Sequence, residues 1–271
     1  MRPGVGRVRE DVRIPVNRAS IRRADLNATI IPDRPTWPTP MRPRDPRAAG
    51  LDNPFFAALD SLHRDVALRH GDVARYPADI APFIGVARPG VEVGEAFDAL
   101  VPAGDEALLL GVAPARMPAG WRLEPFADLA QLVCEEPLRD VGGPDIVELG
   151  DRDRDDVLAL VALVYPHYFR PRTMRLGRYF GIRHDRRLAA IIGERLGMHE
   201  AREMSAICTH PAFLGRGYAR RLTAFLANDT LRSGRLPFLH VSHANTRAKG
   251  LYERQGWRMR RDIPFWRLAR T

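Results

Sequence analysis

Residues 203–222 read EMSAICTHPAFLGRGYARRL: a hydrophobic strand, a proline, then a glycine-rich turn that opens a helix. A helix N-terminus presents unpaired N–H groups and a partial positive charge. Glycines at Gly215 and Gly217 would let a diphosphate lie directly against those amides. The spacing Gly215-Arg216-Gly217-Tyr218-Ala219 is not the six-residue dinucleotide fingerprint, because position 220 is Arg, and the absence of G-K-[ST] excludes a nucleotide-hydrolysing P-loop. A tight strand–helix turn without a ligand is the alternative that the turn alone leaves open. Two carboxylates, Glu194 in IIGERL and Glu203 in REMSAI, lie in apolar strand patterns and need a reason to be there. Glu194, beside a glycine, is the preferred functional one, with pairing to an arginine as its alternative. His240 and His243 are three apart on a strand and so point to opposite faces. His199-Glu200 lacks a second histidine at protease spacing. No metal site is expected, and either His240 or His243 would act singly.

Downstream of the turn comes FLHVSHANTRAKGLYERQGW. Strand, THPAFLGRGYARRL, strand, then N-x-x-A-x-x-L-Y-E-R-x-G-W resembles the GNAT superfamily of acyl-CoA-dependent N-acetyltransferases. The specific resemblance covers about residues 186–271, and the strand–helix order extends it back to about 146. Leu214 departs from the Gln or Arg usual at that point of the turn. The resemblance implies an α/β (α+β) fold, a twisted mixed sheet flanked by helices and splayed open between MSAICT and FLHVSH. It further implies acetyl-CoA as acyl donor, its pantetheine arm along Ile207, Cys208 and Thr209, its diphosphate on Gly215, Arg216, Gly217, Tyr218 and Ala219. Asn245 would cap its helix and face the cofactor. A primary amine, of a small molecule or a peptide, would attack the thioester directly, so Cys208 is not needed as a nucleophile. Tyr252 would protonate the departing thiolate and Glu194 would serve as general base. The resemblance also implies that the aromatic segment after the preceding helix forms part of the acceptor wall, through Tyr165, His167, Tyr168 and Phe169, with core packing as the alternative for these aromatics. A non-catalytic acyl-CoA sensor or interaction module is the competing class.

These residues need elements to hold them. DRDRDDVLALVALVY reads as a helix with acids in its first turn, ended by Pro166. RYFGIRHD and RRLAAIIGERLGM read as a hairpin around His184-Asp185, and IPFWRLA as a last strand. Asn53, Pro54 and the stripe Phe55, Leu59, Leu62 and Val66 predict a helix ended by Gly71. The stretch to residue 147 then alternates strands and helices and carries no chemical motif. The expected organisation is a disordered tail over 1–50, a smaller α+β region over 51–145, a candidate degenerate GNAT-like half, and a transferase domain over 146–271.

The net charge of +9 on 271 residues is concentrated in the tail. Residues 1–50 hold eleven arginines against five acids, or +6, which leaves +3 for the rest. That is a weak footprint for nucleic acid, which is not the expected partner. The prolines of PDRPTWPTPMRPRDPR exclude a helix over that part of the tail, and Met41 is read as the start of translation. Cys134 and Cys208 show no metal or redox spacing, and no signal-peptide core or membrane-length apolar run is present. A cytoplasmic location with reduced thiols is expected.

Overall fold

The computed structural model describes residues 45–271, which belong to one compact unit. Its centre is a seven-stranded sheet. Six of its strands are β6 (Leu129–Val133), β7 (Val147–Leu149), β8 (Tyr179–His184), β9 (Arg187–Gly197), β10 (Ala201–Thr209) and β11 (Leu236–Ser242), and the seventh is β12 (Arg258–Ile263). The order is β12-β6-β11-β10-β9-β8-β7, with β10 and β11 parallel and the other neighbours antiparallel. The hairpin turns at Asp185 and Arg186, both at positive φ, as the His184-Asp185 reading requires.

Two helices cover opposite faces of the sheet. α3 (Arg154–Val164) packs Val157, Leu160 and Val161 against Tyr179, Ile191 and Cys208. α4 (Tyr218–Arg232) lies on the other face, where Phe225 meets Phe180 at 5.1 Å. Strand alternation therefore sorts side chains into an α3 face and an α4 face. α3 ends at Val164, just before Pro166. α5 (Thr246–Gln255) follows β11; the Asn245 side chain caps it at 3.1 Å from the Ala248 amide, and Gly256 ends it at φ 101°.

Residues 51–145 are not a separate layer. A small sheet of β1 (Leu68–His70), β2 (Val73–Arg75) and β3 (Ile84–Val86) precedes α2 (Gly94–Leu100). β4 (Ala107–Leu110) and β5 (Trp121–Pro125) flank the final strand β13 (Phe265–Arg270) in a third sheet. The expected boundary at 145/146 is thus crossed twice. β6 is inserted between β11 and β12, and β13 returns to join β4 and β5. The apolar cluster around Phe55, Tyr76 and Phe83 likewise includes Leu196, Ala201 and Phe238 from the later strands.

Three local expectations change. The helix read from Pro54 is only α1 (Pro54–Leu59), because Asn53 turns its amide to the Val86 carbonyl at 2.7 Å instead of capping, and the chain then enters β1. The helix–strand stretch expected before residue 147 contains two strands, β5 and β6. Within the tail read as disordered through residue 50, a short 3-10 helix (Pro46–Asp52) buries Ala48 and Leu51. The rest of that expectation, including the start at Met41, lies outside the described residues.

Candidate functional site

Backbone geometry creates the site. The β10–β11 ladder runs Ala201–Leu236, Arg202–Pro237, Glu203–Phe238 and stops. Beyond Glu203, β10 carries a bulge against β9, since Ser205 pairs with Gly193 but Cys208 with Ile191. Ala206, inside the bulge, has φ 50°. The extra residue bends β10 away from β11, and the two strands part over Ile207 and Thr209, both half-buried, while Cys208 points into the α3 core. Burial pushes the Cys208 thiol up to about 12, so it stays protonated and is no nucleophile.

Past β10, Gly215 and Gly217 adopt φ 80° and 77°, with Gly217 at the N-cap of α4. A Cβ at either would meet nothing within 4 Å, so the space over the first amides of α4 is clear. Arg216 lies over the Phe213 ring at 5.4 Å. A cavity of about 160 Å³ opens here, lined by Arg216, Gly217, Tyr218, Arg220, Arg221 and the loop from Val141 to Pro144. Arg221 fastens that loop through the Pro144 carbonyl at 2.9 Å. The loop was missed in the sequence; its only local signal is the pair Gly142-Gly143. These features suit a diphosphate: backbone donors, arginines and no side chain in the way.

Tyr252, on α5, is 6 % exposed and packs edge-on against Trp257. Burial raises its pKa, with the Cys208 thiol of β10 adding to the effect, and its hydroxyl makes no hydrogen bond among the described residues. The cap bond of Asn245 uses its carbonyl oxygen and leaves its NH2 available.

Glu194 does not join them. It lies on the α4 face, where Arg178 donates to Oε1 at 2.7 and 3.2 Å and the Arg178 amide donates to Oε2 at 3.1 Å. Arg178 also reaches Asp229, near the C-terminal end of α4. The expected general base is thus an arginine-paired carboxylate at the wrong end of the helix and on the wrong face of the sheet. Glu203 is on the α3 face, at the last rung before the strands part. It accepts two bonds from Arg195, at 2.6 and 2.7 Å, and one from His240 Nδ1 at 2.8 Å. Burial works to raise its pKa, but Arg195 and His240 outweigh it and hold the carboxyl at about 2. His240 Nε2 meets the Gln131 amide at 3.0 Å; Gln131 in turn donates to the Leu51 carbonyl and accepts from Arg260. Both nitrogens of His240 are therefore engaged, and no local sequence pattern marks Arg195, Gln131 or Arg260 as its neighbours. His243 is separate, between Asp262 (2.5 Å) and Lys249 (3.1 Å).

Tyr165, His167 and Tyr168 cluster beyond α3, with ring centroids 4.9–6.1 Å apart. Tyr168 continues onto Phe265 and Phe83. Phe169 turns away and packs on Tyr179, in the α3 core. No group of three or more metal-ligating side chains occurs among the described residues, and none of their helices is long and apolar enough to cross a membrane.

A GNAT-family acetyltransferase from Novosphingobium aromaticivorans is 33 % identical, with a TM-score of 0.74 over 82 % of this chain and 98 % of that one. This chain belongs to the GNAT family. The family model for FR47-like proteins matches residues 179–266, from β8 into β13. A GCN5-related N-acetyltransferase from Kribbella flavida shares the fold at 16 % identity, with a TM-score of 0.54 over 80 % of this chain and 94 % of that one. No curated protein matches. The GNAT match bears out the resemblance and the mixed-sheet fold expected from the sequence.

Proposed function

We propose that this GNAT-family chain is an N-acyltransferase that moves an acetyl or short acyl group from acyl-CoA to a primary amine by direct attack. The observation that carries the reading is the ending of the β10–β11 ladder at Glu203–Phe238, with the bare glycine N-terminus of α4 beyond it. The amides of Gly215 to Ala219, with Arg216 and Arg220, hold the donor's diphosphate. The freed backbone of Ile207 to Thr209 pairs with the pantetheine arm, and the NH2 of Asn245 faces it. Tyr252 donates its proton to the leaving sulfur.

Tyr165, His167 and Tyr168 form the acceptor wall, without Phe169. The ionised Glu203, on the same face of the sheet, replaces Glu194 in this reading. A carboxylate held at about pKa 2 is a poor proton acceptor. It serves instead to stabilise the positive charge that develops on the attacking amine, whose proton leaves through water.

A matched pair of variants tests donor binding. Gly217→Val and Gly234→Val impose the same backbone strain, since φ is 77° and 75° and neither new Cβ meets an atom. They sit at opposite ends of α4. Calorimetry with acetyl-CoA should show affinity lost in Gly217→Val and kept in Gly234→Val, at similar cost to the melting temperature. Equal affinity in both would remove the donor from this turn.

A further inference from the structure

A second cavity, of about 340 Å³, lies at the far end of α4. It is lined by Arg178, Glu194, Arg202, Asp229, Thr230, Arg232, Ser233 and Arg235. At 1.5 Å per residue, Thr230 is about 18 Å from the N-terminus of α4, so this is not the donor turn. Its charges do not cancel. Glu194 and Asp229 are both taken by Arg178, and Asp229 also by Arg232. Arg202 is half-buried and forms no ion pair among the described residues, while Arg235 has only the His199 carbonyl, at 3.2 Å. Thr230 is 1 % exposed, and its hydroxyl has no partner among the described residues. Two uncompensated guanidinium groups and an unpartnered buried hydroxyl line one polar cavity.

From this juxtaposition we infer a binding site for a small dianion of the phosphate-monoester class, separate from the acyl-transfer site. Guanidinium forks match the paired oxygens of a phosphate. Two of them balance its two charges, and a threonine hydroxyl can donate to a third oxygen. Half-burial of Arg202 strengthens the case: the nearest opposite charge, Glu194, is already paired with Arg178, Arg235 and Arg178 repel it, and a bound dianion relieves the cost of holding its guanidinium out of water.

Inorganic phosphate is the probe, titrated calorimetrically into the full chain at constant ionic strength. Saturable binding is expected, tighter than for malonate. Arg202→Gln and Arg235→Gln should each weaken it by about tenfold or more, the loss of one charged hydrogen bond. Arg216→Gln/Arg220→Gln, at the other end of α4, should leave it unchanged. Circular dichroism confirms folding of each variant, and Arg235, half-buried on its own loop, provides the test if Arg202→Gln does not fold. Three results would overturn the inference. One is no saturable phosphate binding. Another is binding that Arg202→Gln and Arg235→Gln leave intact. The third is binding lost only in the Arg216/Arg220 variant, which would put the phosphate at the donor turn and leave the acyltransferase reading standing. Malonate binding without phosphate binding would overturn the ligand class.

Discussion

Burial of Tyr252 raises its phenol's pKa, so the hydroxyl keeps its proton throughout the neutral range and can give it to a departing thiolate. Tyr252→Phe should therefore lower kcat by on the order of 10²-fold, the low end for a general acid, with little change in acetyl-CoA affinity. The effect should shrink from pH 6 to pH 9 in steady-state assays, because the thiolate then leaves unaided. A Phe variant with full activity at pH 7 would make Tyr252 a packing partner of Trp257. His63 gives a second prediction at this scale. Burial lowers its pKa to about 4, outweighing the bond to the Leu176 carbonyl, and the charge of Arg202 adds to the effect; in the neutral ring Nε2 donates to the Leu176 carbonyl and Nδ1 accepts from the Tyr76 hydroxyl. As pH falls through about 6.5, the unfolded chain takes up a proton that the folded chain refuses. Stability is then lost until about pH 4, below which both states are protonated, for a total on the order of 3 kcal/mol. Melting curves from pH 7 to pH 4.5 should show this decline, and His63→Gln should flatten it. Parallel curves would rule out His63 as its source. Tyr252, Asn245 and the two glycines were legible because each belongs to a short contiguous motif. The Arg195–Glu203–His240–Gln131 network was not, because its members come from four strands and only the sheet order brings them together.

Among the elements, β9 decides the role of Glu194. Its apolar pattern marks a buried strand, but a strand buried on both faces gives no alternation from which to tell which face a given residue meets. Glu194 faces α4 with Ile192 on its side of the strand, and Arg195 faces α3 with Glu203. Glu194→Gln should leave kcat unchanged. It should lower stability by on the order of 1 kcal/mol, since Arg178 is largely exposed and retains Asp229. A large fall in kcat with normal acetyl-CoA affinity would restore Glu194 as a base. Periodicity and caps gave α3, α4, α5, the hairpin and β10 close to their observed bounds. β12 escaped because Arg258-Met259-Arg260-Arg261-Asp262-Ile263 has almost no apolar face: Arg260 and Arg261 reach across to Asp52 instead. β5 and β6 escaped as a pair because WRLEPFADLAQLV mixes helix-forming residues with short apolar runs, and pairing with β13, β11 and β12 overrides that local preference.

At the scale of the whole molecule, the two regions read from the sequence share a sheet, so the first region supports the proposed transfer site directly. β6 provides the rung on which β11 continues past the parting of the strands, from His240–Gln131 to Ser242–Leu129. β10 thus bends away from a β11 that stays anchored on its other edge. Strand order of this kind is not carried by local periodicity, which is why a boundary at 145/146 looked reasonable. The same arrangement brings Phe83 and Phe265, from outside the central sheet, against Tyr168 of the proposed acceptor wall. All of this converges on acyl transfer at the gap between β10 and β11, and turnover tests that most directly. Thiol release from acetyl-CoA should be followed with the full chain across a panel of primary amines, with mass spectrometry of the products. Release above the solvent background is expected for at least one amine, with that amine recovered N-acetylated. Acetyl-CoA binding that depends on Gly217, with no amine in the panel accelerating release, would contradict it and leave a non-catalytic acyl-CoA-binding module.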